Sequence, residues 1–373
     1  MFSALLFSGF KAKSLELPEK ETGVPIDVVF VIDISGSTGG LLASVRAKFW
    51  ELQDEMARLE PEANYRLGIV CTGRPSFKKE NNYIKLVSDL TEDIDAAAQA
   101  FFKIKDVTAP GNYFLGHALD VAINEISWSK DPDAIKLVFL AGNGQPSAGP
   151  GFKKPLRKAI EEGIVIHALY FQTYSNAKEQ MDWKRIALNS GGKFIPIETL
   201  EPDAILNRTY DGSLIREAND LLSQTYLYYG PYGKFHRDVQ IELDEEAELM
   251  GNDQVESRAF FKASRLYQGK NAKWDLVDLM KRDNQQILRK NRKRMDPALV
   301  EMSDAELVER VMEASGERDE YISIVGITST QREDFYRRKR QKMKGYNRNK
   351  TFYTVASRRI VEAAEKKGYH LIY

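Results

Sequence analysis

The chain has 373 residues, with 54 basic and 54 acidic side chains, so its formal net charge is zero. This length is typical of two domains, or of one domain with a long extension. A hydrophobic content of 43% is enough for a globular core and excludes a wholly disordered chain. The balanced charge excludes a uniformly basic protein that coats nucleic acid or membrane. One cysteine, Cys71, and four scattered histidines exclude a disulfide framework, a cysteine-rich zinc cluster and a histidine-based catalytic zinc motif.

The N-terminal residues 1–20 begin with an apolar run, MFSALLFSGF. The run is shorter than the roughly 20 residues that a membrane-spanning helix needs. It also lacks the preceding positive charge of a secretory signal. We expect a signal-like segment, a disordered tail or a first strand here, and we predict no transmembrane segment elsewhere in the chain.

From Val24 to about Tyr229, apolar strands alternate with amphipathic helices. The run IDVVFVIDI at 26–34 is typical of a strand buried on both faces of a sheet. Similar patterns predict strands at 65–71, 83–90, 135–141, 164–171 and 193–197. Helices are predicted between them at 41–59, 91–102, 115–126, 153–162 and 179–189. This alternation predicts an α/β fold with a doubly wound, mainly parallel sheet flanked by helices, and ligands of such sheets bind beyond the carboxyl ends of the strands.

After Tyr229 the sequence is strongly polar and predicts helices without strands. Ser303 and Glu306 form a capping box that predicts a helix running to about Ala314. Two stretches, 281–294 and 332–350, are rich in basic residues. The sequence thus predicts three parts, which are the N-terminal segment at 1–20, an α/β domain at 24–229 and a helical extension at 230–373 that docks on that domain or on a partner.

Three oxygen-bearing residues follow the first predicted strand in a DxSxS pattern: Asp33, Ser35 and Ser37. A carboxylate and two hydroxyls at alternate positions of a tight turn present oxygens in one direction. Mg²⁺ prefers oxygen ligands in octahedral geometry and retains some waters. The same residue types are good helix caps, so the alternative is that they cap the helix at Leu41. Their position after a buried strand favours the metal site.

The DxSxS pattern resembles the metal-ion-dependent adhesion site of the von Willebrand factor A (VWA) domain family, over about residues 24–229. The segments GNYFLGHAL at 111–119, FLAGN at 139–143 and TYLYYG at 225–230 are similar to a group of bacterial, mostly exported VWA proteins without an assigned enzymatic activity. The resemblance implies a bound Mg²⁺ or Mn²⁺, a protein partner and no enzymatic activity. It also favours the bacterial periplasm or cell surface over the cytoplasm, although the location stays open.

This sequence departs from the family's metal site at two positions. The family adds a threonine, for which Thr108 and Asn112 are the candidates here, and an aspartate, which is replaced by Asn143. Removing one charge at about 4 Å from a cation costs up to about 4 kcal/mol at an effective dielectric constant of about 20. The resemblance therefore implies a site with Asp33 as its one charged ligand, which is weak, completed by an Asp or Glu of the partner, or vestigial.

The predicted function is a non-enzymatic interaction module that binds a protein partner through this partial metal site. Tyr113, His117 and Gly144 are the predicted partner-binding residues. The alternative is a metal-independent assembly scaffold whose basic helical tail docks on a partner complex. A nucleic-acid or anionic-surface ligand is disfavoured because acidic residues balance the basic stretches. The sequence contains no nucleophile elbow, P-loop or dinucleotide motif.

Overall fold

A central sheet organises the fold, as seen in a computed structural model that describes residues 23–38, 40–78, 81–104, 114–147, 149–171, 177–197, 210–282, 292–342 and 351–372. The strands are β1 (Pro25–Asp33), β2 (Leu59–Glu60), β3 (Asn64–Thr72), β4 (Ile84–Thr91), β5 (Ile135–Gly142), β6 (Val165–Phe171), β7 (Phe194–Ile197) and β8 (His370–Leu371). Six of them form one sheet in the order β4-β3-β1-β5-β6-β7. Within it, β4 pairs antiparallel with β3 and the other pairs are parallel.

The helices in the described ranges surround this sheet. They are α1 (Leu41–Ala47), α2 (Phe49–Ala57), α3 (Ile94–Phe102), α4 (Leu115–Asn124), α5 (Lys153–Glu161), α6 (Ala177–Asn189), α7 (Ser213–Gln224), α8 (Gly233–Met250), α9 (Asn252–Ala263), α10 (Leu276–Arg282), α11 (Pro297–Val300), α12 (Asp304–Lys342) and α13 (Phe352–Glu365). The predicted α/β fold with a doubly wound, mainly parallel sheet is confirmed, and helices dominate the C-terminal part.

The sheet has an apolar layer on each face because side chains along a strand alternate in direction. Phe30 and Ile32 of β1 belong to one core cluster, together with residues of α1, α2 and α3. Val29 and Val31 belong to a second cluster with residues of α4, α5 and α6. The near-continuous apolar run of β1 is explained by this burial on both faces.

The C-terminal helix α13 packs on the first of these faces. The ring of Phe352 meets that of Phe30 edge to face, with centroids 5.0 Å apart. The Tyr369 hydroxyl donates a hydrogen bond to the Val24 carbonyl at 2.6 Å. Beyond it, β8 pairs antiparallel with β2. The predicted parts 24–229 and 230–373 therefore share one apolar core, in which the end of the chain covers the sheet.

Several elements differ from the sequence-based expectation. The helix predicted at 41–59 is interrupted at Lys48, which has φ −126° and ψ 16° and ends α1 before α2 begins. The prediction of no strands after residue 229 is wrong, because β8 forms there; a two-residue strand is too short to show an alternating pattern. The capping box is confirmed, since Ser303 N donates to the Glu306 carboxylate at 2.7 Å, but the helix α12 continues to Lys342 rather than ending near Ala314.

The membrane and N-terminal expectations concern different parts of the chain. Across the described ranges, none of the helices combines the length and apolarity that crossing a membrane demands. Residues 1–20, for which the sequence predicts a signal-like or disordered segment, lie outside the described residues.

Candidate functional site

The polar residues of the DxSxS pattern lie at the carboxyl edge of the sheet, which we define as the edge where the parallel strands end. The chain runs from β1 outward to β3 and β4, then returns to β5 on the other side of β1. Strand order therefore reverses between β1 and β5, where doubly wound sheets form their ligand crevice. Asp33 is the last residue of β1, and Asn143 follows the last residue of β5. The topology places both residues beside this crevice.

Two glycines allow the strand ends to close around Asp33. A Cβ at Gly73, whose φ is +99°, would lie 2.7 Å from Asp33 Oδ1. A Cβ at Gly142 would lie 2.4 Å from the Cβ of Asp33. Real Cβ atoms do not approach other heavy atoms this closely, so any side chain at either position would displace the carboxylate. The carboxylate is thus held in a cradle that two neighbouring strands build from backbone.

The turn after β1 is fixed by its own hydrogen bonds. Ser35 N donates to Asp33 Oδ1 at 2.9 Å. The hydroxyl of Thr38 donates to the carbonyls of Asp33 at 3.1 Å and Ser35 at 2.7 Å. Helix α1 begins after Gly40, and no side chain caps it. Asp33 and Ser35 therefore do not cap the helix at Leu41, whereas the side chain of Ser37 lies outside the described residues.

The carboxylate of Asp33 is buried and only partly satisfied. The residue is 0% exposed, and its Oδ2 has no hydrogen-bond partner among the described residues. Burial raises the pKa of Asp33 to about 6, against the lowering effects of Ser35 and of the Asn143 backbone, and nearby Glu179 raises it further. A buried charge without a partner is costly. A cation bound to Oδ2 would remove that cost, so the residues present fit a divalent metal ion.

Glu179, in the first turn of α6, is the residue that sequence reasoning missed. Its Oε1 accepts a hydrogen bond from Gly144 N at 2.6 Å, which fixes a second carboxylate beside Asn143. Trp183 Nε1 donates to the Gly144 carbonyl at 2.8 Å and closes the same turn. Asp33 stays the one charged ligand that the sequence predicts, and Glu179 adds a second charge near it. The available signal was an acidic residue entering a helix directly beyond the carboxyl end of β6.

The structure brings together some of the predicted site residues. Asp33, Ser35, Asn143 and Gly144 all lie at the carboxyl edge. His117 lies on α4, where its Nε2 is 3.1 Å from Asn82 Nδ2. The remaining candidates, Thr108, Asn112, Tyr113 and the side chain of Ser37, lie outside the described residues.

The donor set is poor in classical metal-binding side chains. Within the described ranges, no group of three or more His, Cys, Asp or Glu residues is arranged to hold a metal ion. A cation at Asp33 would therefore depend on hydroxyl, amide and water oxygens, which suits a hard ion such as Mg²⁺. It would also bind more weakly than one held by several carboxylates.

Comparison with known proteins identifies the family of the sheet domain. The model of the von Willebrand factor type A domain matches residues 27–201. Residues 27–201 are a VWA domain. The predicted family resemblance is confirmed, and the DxSxS turn lies within the VWA domain at the carboxyl edge of its sheet. No curated protein matches the chain.

Solved structures give distant likenesses to this VWA-containing chain. Proximal thread matrix protein 1 of the mussel byssus has 18% identity and a TM-score of 0.37, over 47% of this chain and 42% of that one. Another structure of that protein has zinc in its metal-ion-dependent adhesion site. The VWA domain of the type V pili tip protein Mfa5 from Porphyromonas gingivalis has 15% identity and a TM-score of 0.34, over 46% and 90%. The pilus adhesin SpaC from Lactobacillus rhamnosus GG has 13% identity and a TM-score of 0.38, over 48% and 28%.

Proposed function

We propose that this VWA domain is a non-enzymatic interaction module that binds a protein partner through a divalent cation at the carboxyl edge. Asp33, Ser35 and Ser37 hold the cation, Mg²⁺ or Mn²⁺, with Asn143, Thr108 and Asn112 around it. The observation that carries the proposal is Asp33 Oδ2, which is buried and has no hydrogen-bond partner in the part of the chain that the structure describes. A carboxylate oxygen in that state is a ready ligand for a hard cation.

The charges at the site favour weak binding of a cation over no binding. Asn143 supplies an oxygen without a charge. Glu179 is close enough to raise the pKa of Asp33, so its carboxylate also attracts a cation placed beside Asp33. This second charge offsets part of the loss at position 143. The cation in turn attracts an Asp or Glu of the partner, which takes an open coordination position and contacts Tyr113, His117 and Gly144.

Isothermal titration of the full chain with Mn²⁺ and with Mg²⁺ tests the proposal. We expect saturable binding by the wild type, which Asp33→Ala abolishes. Asp238→Ala, which removes an exposed carboxylate from α8, is the matched control and retains the binding. Wild-type heat signals that do not saturate at millimolar cation, or that persist unchanged in Asp33→Ala, would contradict the proposal.

The metal-independent scaffold remains the second candidate, and Asn143 is the observation that favours it. Its docking element, the basic tail, has at least one arginine engaged within the chain. Arg332 is buried and forms ion pairs with Glu256 at 2.8 Å and with Asp54 at 3.6 Å. Partner recovery that is insensitive to EDTA and to Asp33→Ala would favour the scaffold over the metal-dependent module.

A further inference from the structure

A basic cavity lies next to the proposed metal site. Its volume is about 920 Å³, and it opens between the loop after β3, the edge strand β4, the end of α3 and the face of α4. Four cationic side chains line it: Arg74, Lys78, Lys85 and Lys103. Glu125 is the one carboxylate among the described lining residues. This excess of positive charge makes the cavity attractive to anions.

Arg74 is the unusual member of this lining. The residue is only 6% exposed, yet its Nε has no hydrogen-bond partner, and it forms no ion pair within the described ranges. Other buried arginines are ion-paired, for example Arg258 with Asp95 and Arg318 with Asp275, each at 2.7 Å or less. A buried guanidinium without an anion carries an uncompensated desolvation cost. An anion entering the cavity would supply the missing partner.

The cavity also has an apolar wall, which limits the kind of anion it suits. Phe77, Ile84, Leu86, Ile104 and Val121 line it alongside the cations. The volume is in the range of sites that enclose drug-sized ligands, about 300–1,000 Å³, and far exceeds that of a single phosphate. Apolar contacts beside the buried guanidinium of Arg74 suit a ligand that combines a carboxylate with an aliphatic side chain. An acidic peptide segment has both groups.

The cavity and the proposed metal site meet at the end of β3. Gly73 touches the Asp33 cradle from one side, and Arg74 is the next residue of the chain. Gly73 N donates to the Tyr83 carbonyl at 3.2 Å, which ties this strand end to the loop that lines the cavity. His117, a predicted partner-binding residue, lines the same cavity. A single extended segment can therefore reach both features.

We propose that the cavity around Arg74 is the docking site for an acidic–apolar segment of the protein partner, with a carboxylate of that segment on Arg74. That this segment also reaches the metal ion rests on the proposed function. The cavity itself requires no metal ion. Anion binding at Arg74 is therefore measurable with the cation removed.

The test is a calorimetric titration of the full chain in EDTA at low salt, with acetyl-Glu-Leu-Glu-amide as the probe. The wild type should bind this peptide saturably and should not bind acetyl-Gln-Leu-Gln-amide. We expect at least fivefold weaker binding by Arg74→Met and by Lys85→Glu. Lys85 is exposed, so its variant keeps the test valid if Arg74→Met fails to fold. Lys130→Glu, an exposed charge reversal before β5, is the control and should bind as the wild type does.

Three results would overturn the inference: no saturable binding of the acidic peptide by the wild type, unchanged affinity in both cavity variants, or saturation by inorganic phosphate at lower concentration than by the peptide. The last result would make the cavity a phosphate site. The two proposals are tested separately, because Asp33→Ala should lose Mn²⁺ binding while keeping peptide binding in EDTA. If the wild type binds the peptide but never binds Mn²⁺, the docking site at the cavity stands and only the metal proposal is contradicted.

Discussion

Asp33 combines complete burial with an incomplete hydrogen-bond shell, and this combination makes its ionisation unfavourable in the cation-free fold. Its pKa of about 6 lies above the ordinary value of 3.8. Between these two values the folded state binds more protons than the unfolded state. The free energy of unfolding contributed by this group therefore falls as pH rises through that window. A cation that binds the ionised form reverses this penalty and binds progressively less well below about pH 6.

Replacing Asp33 by asparagine should separate stability from metal binding. In EDTA at pH 7, we expect Asp33→Asn to raise the free energy of unfolding by about 1–3 kcal/mol, because a buried charge is removed while the oxygen facing Ser35 N is kept. The same variant should lose all stabilisation by Mn²⁺. Urea denaturation with and without Mn²⁺ measures both effects, with Asp238→Asn as an exposed control. A variant less stable than the wild type in EDTA would contradict this description of the carboxylate.

Restoring the charge at position 143 should strengthen the site. We expect Asn143→Asp to bind Mn²⁺ at least about fivefold more tightly, because one added charge near the cation is worth about 1 to 4 kcal/mol. Asn189→Asp adds the same charge at the opposite end of α6 and should leave the affinity unchanged. Equal affinities of Asn143→Asp and the wild type, measured by titration calorimetry, would place the cation away from this loop.

At the residue scale, the sequence predicted the part of the site that is contiguous with strand ends. Asp33, Ser35 and Asn143 follow recognisable apolar strands, so their meeting at one edge follows from parallel pairing. Glu179 was missed because its role depends on how α6 enters over the turn at Gly144, which is a tertiary contact. The lack of an ion pair at Arg74 within the described ranges was likewise invisible, since sequence shows charge but not burial.

At the element scale, buried arginines connect the helical part to the VWA domain. Arg258 of α9 donates to the Asp95 carboxylate of α3 at 2.7 and 3.2 Å and to Asp244 Oδ1 of α8 at 2.7 Å. Its guanidinium also lies over the Trp50 ring of α2, 4.2 Å from the centroid. One side chain thereby fixes four helices relative to one another.

Removing the charge of Arg258 should therefore be strongly destabilising. We expect Arg258→Met to lower the free energy of unfolding by about 3–5 kcal/mol, because it leaves the buried Asp95 carboxylate without its cation, while Asp244 keeps its ion pair with Lys262. Lys234→Met breaks an exposed ion pair with Asp238 on α8 and should change stability by less than about 1 kcal/mol. Chemical denaturation compares the two, and similar effects for both variants would show that the Arg258 contacts contribute little.

The elements differ in how far the sequence could predict them. Strands β1, β3, β5 and β6 carry β-branched runs because they are buried on both faces, and their positions were correct within a few residues. Helix α7 was not predicted, α13 was predicted only as part of the helical extension 230–373, and the two-residue strand β8 pairs with β2 directly after α13. Elements whose conformation depends on tertiary contacts show only a weak pattern in their local sequence.

At the scale of the whole molecule, the C-terminal helix α13 packs against the first strand of the sheet. Phe352, Ile360 and Ala364 of α13 are buried in the same core cluster as Phe30 of β1. The division into 24–229 and 230–373 remains a prediction from composition. The shared core indicates how these two parts should unfold. Two parts that bury one apolar layer between them should not unfold independently.

We therefore expect the full chain to unfold in one cooperative transition, seen alike by circular dichroism and tryptophan fluorescence. Phe352→Ala should lower the free energy of unfolding by about 3–5 kcal/mol, because it empties a packed position between sheet and helix. Phe235→Ala, at an exposed position of α8, is the matched control and should have a small effect. Two resolved transitions in the wild type, with Phe352→Ala affecting only one of them, would show independent domains.

The most direct test of the central claim is anomalous diffraction from crystals of the full chain soaked in Mn²⁺. We expect a manganese peak at coordination distance from the Asp33 carboxylate, with Ser35 and Asn143 beside it and Glu179 in the surrounding shell. The same soak of Asp33→Asn crystals should show no peak at that position. Saturating Mn²⁺ that leaves the Asp33 cradle without a peak in the wild type would contradict the account.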